Sequence, residues 1–310
     1  MRCPSLFELP SRPPGKTGWP WTEESDQLMP LMEDGSLWPV ITIITPSLNQ
    51  GAYIEETIRS ILLQGYPNLE YIIMDGGSTD DSVDTIKKYE RWISYWVSEP
   101  DRSQSNAINK GLNVAHGDVI TWINSDDTLL PNALAAVGRA SKTYPQAACW
   151  IGSCEKIDQQ KRLLSRIIPR DLNAGQLADW GTNFFYQPSC FINASFLTQL
   201  RKPIIDEALD ICFDLDLWHR LIKLGRFVTV NAPLSRALIH KSAKTKQFQA
   251  RMAAEHYVLL FRYGFENRAM DQLTKHFEYH RWLENRMDHI FNNRPARMIR
   301  HLLKTFGIMA

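Results

Sequence analysis

Two adjacent carboxylates, Asp126 and Asp127, follow almost directly on the apolar run DVITWI (118–123). Neighbouring carboxylates repel unless something positive sits beside them. A divalent cation supplies that charge, and Mg²⁺ or Mn²⁺ takes oxygen ligands while keeping phosphates and waters in its shell. The plainer reading is a helix cap ahead of Pro131. A third carboxylate, Asp75, opens a DGGS turn, where Gly76 and Gly77 let the backbone approach a ligand; capping the next helix is the alternative. Asp214 and Asp216 stand two apart in FDLDLWHRLIKLG (213–225). On a helix that spacing puts them on different faces, so they cannot both serve one site. Acidic residues favoured by the helix N-terminus are the bland account of both. His240 closes the run SRALIH (235–240), and Lys241, Lys244 and Lys246 follow it, either as phosphate contacts or as a solvated loop. Gln187, before Pro188, reads as a group reaching the acceptor of a reaction or as a turn residue.

These groups need elements to hold them. Short β-branched or apolar runs at 40–45, 69–74, 93–98 and 118–123 predict strands, and helical spacing predicts helices over 52–64, 82–92, 103–115 and 131–144. In the first helix the spacing is carried by Ile54, Ile58, Ile61 and Leu62. Such alternation implies an α/β fold with a mainly parallel sheet and helices on both faces. Ligands of such sheets bind beyond the carboxyl ends of the strands. The four ends here are TPSLNQG (45–51), DGGSTD (75–80), SEPDRSQSNAINKG (98–111) and NSDD (124–127). All are polar, and on one rim they make a single crevice. Further strands are predicted at 148–155, 162–168, 226–230 and 235–240, a helix over 213–225, and helix throughout 246–310.

The organisation that follows is an extension (1–38), a catalytic domain (39–245) with a nucleotide half (39–135) and an acceptor half (136–245), and a helical C-terminal region (246–310). Prolines punctuate the extension, and Trp19, Trp21 and Trp38 are expected to lay it against the body. The net charge of +1 points to no nucleic acid partner. Five cysteines without a CxxC pair indicate neither zinc nor a disulfide framework, and a cytoplasmic location fits them. No apolar run reaches the roughly 18 residues of a membrane span. The C-terminal region holds 11 Lys and Arg against 6 Asp and Glu. Its last stretch sets Met298, Leu302, Leu303 and Phe306 beside Arg297, Arg300 and Lys304. That face suits peripheral contact with anionic lipid at the inner side of a membrane, or equally a packing or homodimer helix.

The segments ITPSLNQGAYIEETIRSILLQGYPNLEYIIMDGGSTDDS (44–82), SEPDRSQSNAINKG (98–111) and ITWINSDDTLLPNAL (120–134), in this order, resemble the family 2 glycosyltransferases of GT-A fold. QPSCF (187–191) and DICFDLDLWHRLIKLG (210–225) continue the resemblance, which spans Trp38 to His240 and is nearest to members of cell-surface polysaccharide assembly. The resemblance implies an inverting, metal-dependent transfer of a sugar from a nucleotide-sugar donor, UDP favoured, to a glycan or lipid-linked acceptor. It implies Thr45 and Pro46 against the base, Asp75 bonded to the base, Asp126 on Mn²⁺ or Mg²⁺, Asp127 assisting that ligation or touching the donor, Asp214 as catalytic base, and His240 near the metal or diphosphate. Three positions depart from the pattern: Asn124 replaces the first aspartate of Asp-x-Asp, Ser103 replaces a frequent glycine, and Phe213 replaces the glutamate before the base. Three other classes remain to be separated: a nucleotide-sugar binder without turnover, a glycosidase that needs neither metal nor nucleotide, and a nucleotidyltransferase. The last would want a basic residue in the loop after the first strand, and TPSLNQG has none.

Overall fold

A computed structural model describes residues 1–170, 172–179, 185–240 and 243–292, the last six by backbone alone. Strands and helices alternate through β1 (Ile41–Ser47), α1 (Ile54–Leu62), β2 (Leu69–Asp75), α2 (Ser82–Tyr89), β3 (Tyr95–Ser98), α3 (Gln104–Val114) and β4 (Val119–Trp122). All seven residues of β1 are buried because it lies between β2 and β4, with Ile41 opposite both Leu69 and Val119. Ile41 and Ile43 pack in one core with Ile54, Ile58 and Ile61 of α1 and Ile86 of α2. Ile44 points the other way, toward α3. A Cβ on Gly111 would come within 2.6 Å of Ile44 Cγ2, so glycine sets that helix-to-sheet distance.

The strand order begins β3-β2-β1-β4 and all three pairings are parallel. The chain moves outward from β1 to β3, then returns to the other side of β1. That reversal leaves a crevice at the carboxyl ends of β1 and β4, as the polar strand ends predicted.

The second half is mixed. It comprises β5 (Thr128–Leu129), α4 (Ala133–Thr143), β6 (Cys149–Ile157), β7 (Leu163–Ile167), α5 (Ala174–Leu177), β8 (Cys190–Asn193), α6 (Ala194–Leu197), α7 (Phe213–Leu221) and β9 (Phe227–Leu238). The sheet continues β4-β8-β6-β9-β5, with β7 beside β6; β8 is antiparallel to both neighbours and β9 is parallel to β6. The strands expected at 226–230 and 235–240 are one 12-residue strand. Its Asn231-Ala232-Pro233 interruption is absorbed by register shifts opposite Ile151–Cys154. Gly152 permits the crossing, since a Cβ there would lie 2.3 Å from Leu234 Cγ. β5 and β8 carry too few residues to announce themselves by periodicity. Pro131 stands outside α4, because Asn132 takes a left-handed φ of 62° as its cap.

The extension belongs to the first of two compact units, Met1–Glu255; the second begins at His256. Arg59 of α1, only 1% exposed, fastens the extension down. Its guanidinium donates to the carbonyls of Pro10 (3.0 Å), Pro20 (3.1 Å) and Trp21 (3.4 Å) and to the Tyr89 hydroxyl (3.1 Å). It also lies 5.3 Å from the centre of the Trp21 ring. After β9 come α8 (Lys244–Gln247), α9 (Gln249–Arg262) and α10 (Glu266–Asn292), with a break at Gly264, whose φ is +81°. The amphipathic stretch from Arg297 to Phe306, like Lys241, lies outside the described residues.

Candidate active site

A cleft of about 980 Å³ opens over the carboxyl ends of β1 and β4. Pro46, Ser47, Leu48, Gln50 and Gly76 line it from the first half, and Lys156, Tyr186, Gln187, Asp214 and His240 from the second. Asp126 stands on its wall with a side chain 21% exposed. Its Oδ2 is 2.9 Å from Nε2 of His240, a residue 114 positions later. The pairing of β5 with β9, Thr128 opposite Arg236, explains the meeting: it lays the loop before β5 against the residues after β9. Tyr53 holds the imidazole from another side, with ring centres 5.3 Å apart.

Asp127 also borders the cleft but is nearly buried, and both its oxygens are held by protein donors. Its Oδ1 accepts from the Leu238 N–H (3.1 Å) and its Oδ2 from the Asn124 amide (3.3 Å). Burial, and secondarily the charge of Asp126, pushes its carboxyl well above the ordinary range. The repulsion between the two carboxylates is therefore relieved twice over: one meets an imidazole and the other is buried among donors. Asn124 also accounts for its own departure from Asp-x-Asp. It accepts from Gln104 Nε2 (2.8 Å) while donating to Asp127, and an aspartate could not donate.

Two ligands at adjacent corners of an octahedron with bonds of about 2.1 Å lie about 3.0 Å apart. The Asp126–His240 pair is hydrogen-bonded at 2.9 Å, close to that spacing, and its carboxylate oxygen and imidazole nitrogen are a donor set that would suit a divalent ion in place of the shared proton. No cluster of three or more metal-ligating side chains occurs among the described residues. The protein would thus contribute two ligands and leave the others to phosphate and water, the usual manner of Mg²⁺.

Asp214 opens α7 and lines the cleft, half-buried. Its Oδ1 accepts from the Leu215 N–H at 2.7 Å. Burial pushes its carboxyl up to about 7, against the pull of the neighbouring backbone donors and with a small push from Glu255. Asp216 points away and pairs with Arg220 at 2.9 Å. The helical spacing separates the two acids as predicted and leaves Asp214 on the cleft. Trp218 is core: it is fully buried and stacks on Trp122 with ring centres 5.7 Å apart.

Two expected contacts lie behind the wall. Thr45 is fully buried and accepts from the Tyr71 hydroxyl at 3.2 Å, so Pro46 alone of that pair faces the cleft. Asp75 is 1% exposed and already accepts from Ser78 N (2.9 Å), Ser78 Oγ (2.5 Å), Ser98 Oγ (2.6 Å) and Gly77 N (3.2 Å). It ties the ends of β2 and β3 together, and Gly76 presents backbone to the cleft in its place.

Glu255 is a residue that no sequence signal marked. Its carboxylate accepts from the N–H groups of Asp210 (3.0 Å), Ile211 (2.8 Å) and Cys212 (2.9 Å), which anchors the entry to α7 and so the place of Asp214. Only the packing of a helix 40-odd positions downstream in the chain makes it visible.

The model of glycosyl transferase family 2 matches residues 42–201, half of the chain and most of the sheet just described. The chain belongs to this family. An uncharacterised glycosyltransferase of Mycobacterium tuberculosis is 35% identical over 115 residues, 36% of this chain and 44% of that protein. The chain thus matches less than half the length of that relative. A Bacillus subtilis protein named as a glycosyltransferase of teichuronic acid biosynthesis is 38% identical over 92 residues, 29% of this chain and 36% of its own. Among solved structures, Staphylococcus aureus TarS in complex with UDP-GlcNAc superposes with a TM-score of 0.55 at 16% identity, over 71% of this chain and 66% of that one. A mannosyltransferase from Pyrobaculum calidifontis in complex with GDP-Man and Mn²⁺ gives 0.58 at 15%, over 93% and 84%. At these identities the likeness is one of fold, and the fold is GT-A.

Proposed function

We propose that this protein transfers a sugar from a nucleoside-diphosphate donor to an acceptor hydroxyl, with inversion and with a divalent ion, within the part of the chain spanning 39–245. The observation that carries the reading is the shared cleft: an Asp126–His240 pair spaced for one cation, and Asp214, whose carboxyl titrates near neutrality. A Mn²⁺ or Mg²⁺ ion on Asp126 and His240 would offset the charge that develops on the leaving diphosphate.

The chain's own groups do the rest. Pro46, Ser47 and the backbone at Gly76 form the wall for the nucleotide. Asp214 takes the proton of the acceptor hydroxyl as its oxygen bonds to the anomeric carbon. The bond from that carbon to the diphosphate oxygen breaks, and its electron pair leaves with the diphosphate. A carboxylate near pKa 7 is matched to that task at neutral pH, and such a base contributes roughly 10²- to 10⁴-fold in rate. Lys244 and Lys246 also line the cleft; the Lys244 ammonium donates to the Asp210 carbonyl at 2.7 Å, which leaves Lys246 as the lysine proposed for a phosphate oxygen.

UDP is the favoured nucleotide. TarS holds UDP-GlcNAc, while the mannosyltransferase holds GDP-Man, so both nucleotides belong in the test. The name of the B. subtilis relative supports a glycan or lipid-linked acceptor in polysaccharide assembly. None of the helices among the described residues is long and apolar enough to cross a membrane. Thermal-shift titration with UDP, GDP and their sugars, with and without Mn²⁺, tests the core of the reading. Metal-dependent stabilisation by one nucleotide is expected, and its absence for all of them would overturn the proposal.

A further inference from the structure

The cleft holds three buried polar atoms without a partner among the described residues: Ser47 Oγ, Gln50 Oε1 and Gln187 Oε1. The first two lie on the nucleotide side. Gln187 stands on the opposite wall, in the turn Gln187–Ser189 ahead of β8, and is 8% exposed. Its amide orientation is decided by its surroundings. Nε2 lies 2.7 Å from the carbonyl oxygen of Trp122, and only the NH₂ end can donate there. The carbonyl end is thereby left as a fixed acceptor, buried in the cleft wall and without a partner among the described residues. Leaving a buried amide oxygen unmet costs free energy, so such atoms in native folds usually await water or a ligand.

The place of this oxygen says which ligand group reaches it. Trp122 ends β4, and Asp126 follows four residues later. Tyr186, next to Gln187, lines the same cleft as Asp126, Asp127 and Asp214, and its phenol is raised first by burial and then by the nearby carboxylates. The segment therefore lies within electrostatic reach of both the paired carboxylates and the base. Between those two groups is where a sugar must lie if its diphosphate leaves toward one and its acceptor is deprotonated by the other.

We infer that Gln187 determines sugar specificity: its Oε1 accepts a hydrogen bond from one hydroxyl or amide N–H of the sugar being transferred. The inference rests on the sugar-transfer reading above. A group held this rigidly discriminates, because a donor lacking that hydroxyl leaves the buried oxygen unpaired.

The test uses the full chain with Mn²⁺ and measures nucleotide release from UDP-glucose, UDP-galactose, UDP-N-acetylglucosamine and GDP-mannose without acceptor. The 2-, 3-, 4- and 6-deoxy forms of the best donor follow. Loss of one particular hydroxyl should lower kcat/KM of the wild type by about 10- to 100-fold. The same loss should leave Gln187→Met almost unaffected, while Gln187→Glu, which keeps acceptor oxygens, should remain sensitive to it. A flat deoxy series in the wild type would overturn the inference even if neither variant folds. Equal losses in wild type and Gln187→Met at every position would overturn it as well. Binding of UDP or GDP to the wild type does not depend on Gln187. If that binding fails, the wider reading falls, and this inference falls with it.

Discussion

Asp214→Asn should slow transfer steeply and at the same time stabilise the fold, a combination that separates a catalytic carboxylate from a structural one. The side chain lies in the cleft wall, and burial lifts its carboxyl from 3.8 to about 7. A group raised in the folded state binds its proton in the native form while the unfolded chain has lost it. Between about pH 4 and pH 7 the native state therefore holds the extra proton, and stability falls as pH rises through that window. A shift of about three pH units sets an upper limit of about 4 kcal/mol, which partial exposure to solvent reduces to about 1–2 kcal/mol. Asparagine keeps the oxygen that accepts from the Leu215 N–H and carries no charge. At pH 8 the variant should melt about 2–6 °C above the wild type, and at pH 4 the difference should vanish. Transfer or donor turnover should fall by about 10²- to 10⁴-fold with nucleotide binding retained. The wild-type rate should rise with pH through an apparent pKa near 7. The assay pairs calorimetry at several pH values with release of nucleoside diphosphate. A variant that loses activity but gains no stability at pH 8, or a wild-type rate flat from pH 6 to 8, would refute the reasoning.

Asp126→Ala and His240→Ala should each remove the Mn²⁺-dependent part of UDP binding, by roughly 10- to 100-fold, while metal-free binding changes little; isothermal titration with and without chelator reads both. Arg59→Met should destabilise the protein by about 3 kcal/mol, because it strands three carbonyls of the extension, while the Tyr89 hydroxyl keeps its bond to Glu55; urea unfolding reports it. Asn124→Asp should cost about 1–3 kcal/mol at pH 8 and less at pH 5, since a carboxylate there faces Asp127 with no proton to donate; melting curves at the two pH values check the difference.

Much of the first half was legible in the chain. A buried parallel strand reads as a short, mostly apolar or β-branched run, and β1, β2 and β4 are such runs between helices of regular spacing. The polar strand ends followed from the same logic, because the crevice of a parallel sheet lies where its carboxyl termini meet. That Asp214 and Asp216 take different faces of α7 was also written locally, in a two-residue offset that no helix can undo.

Pairings between distant segments were not written locally. The chain shows Asp126 and His240 as two polar residues at two strand ends; only the antiparallel pairing of β5 with β9 sets them 2.9 Å apart. Asp75 and Thr45 carry the residue types expected of a nucleotide contact, yet Ser78, Ser98 and Tyr71 claim their oxygens first. Sequence thus determined the element types and the polarity of the rim, because those depend on neighbours within a turn or a pleat. Tertiary structure decided which carboxylate faces the cleft, which is buried, and which titrates near neutrality. Desolvation and hydrogen bonding depend on whatever the fold brings within a few ångströms.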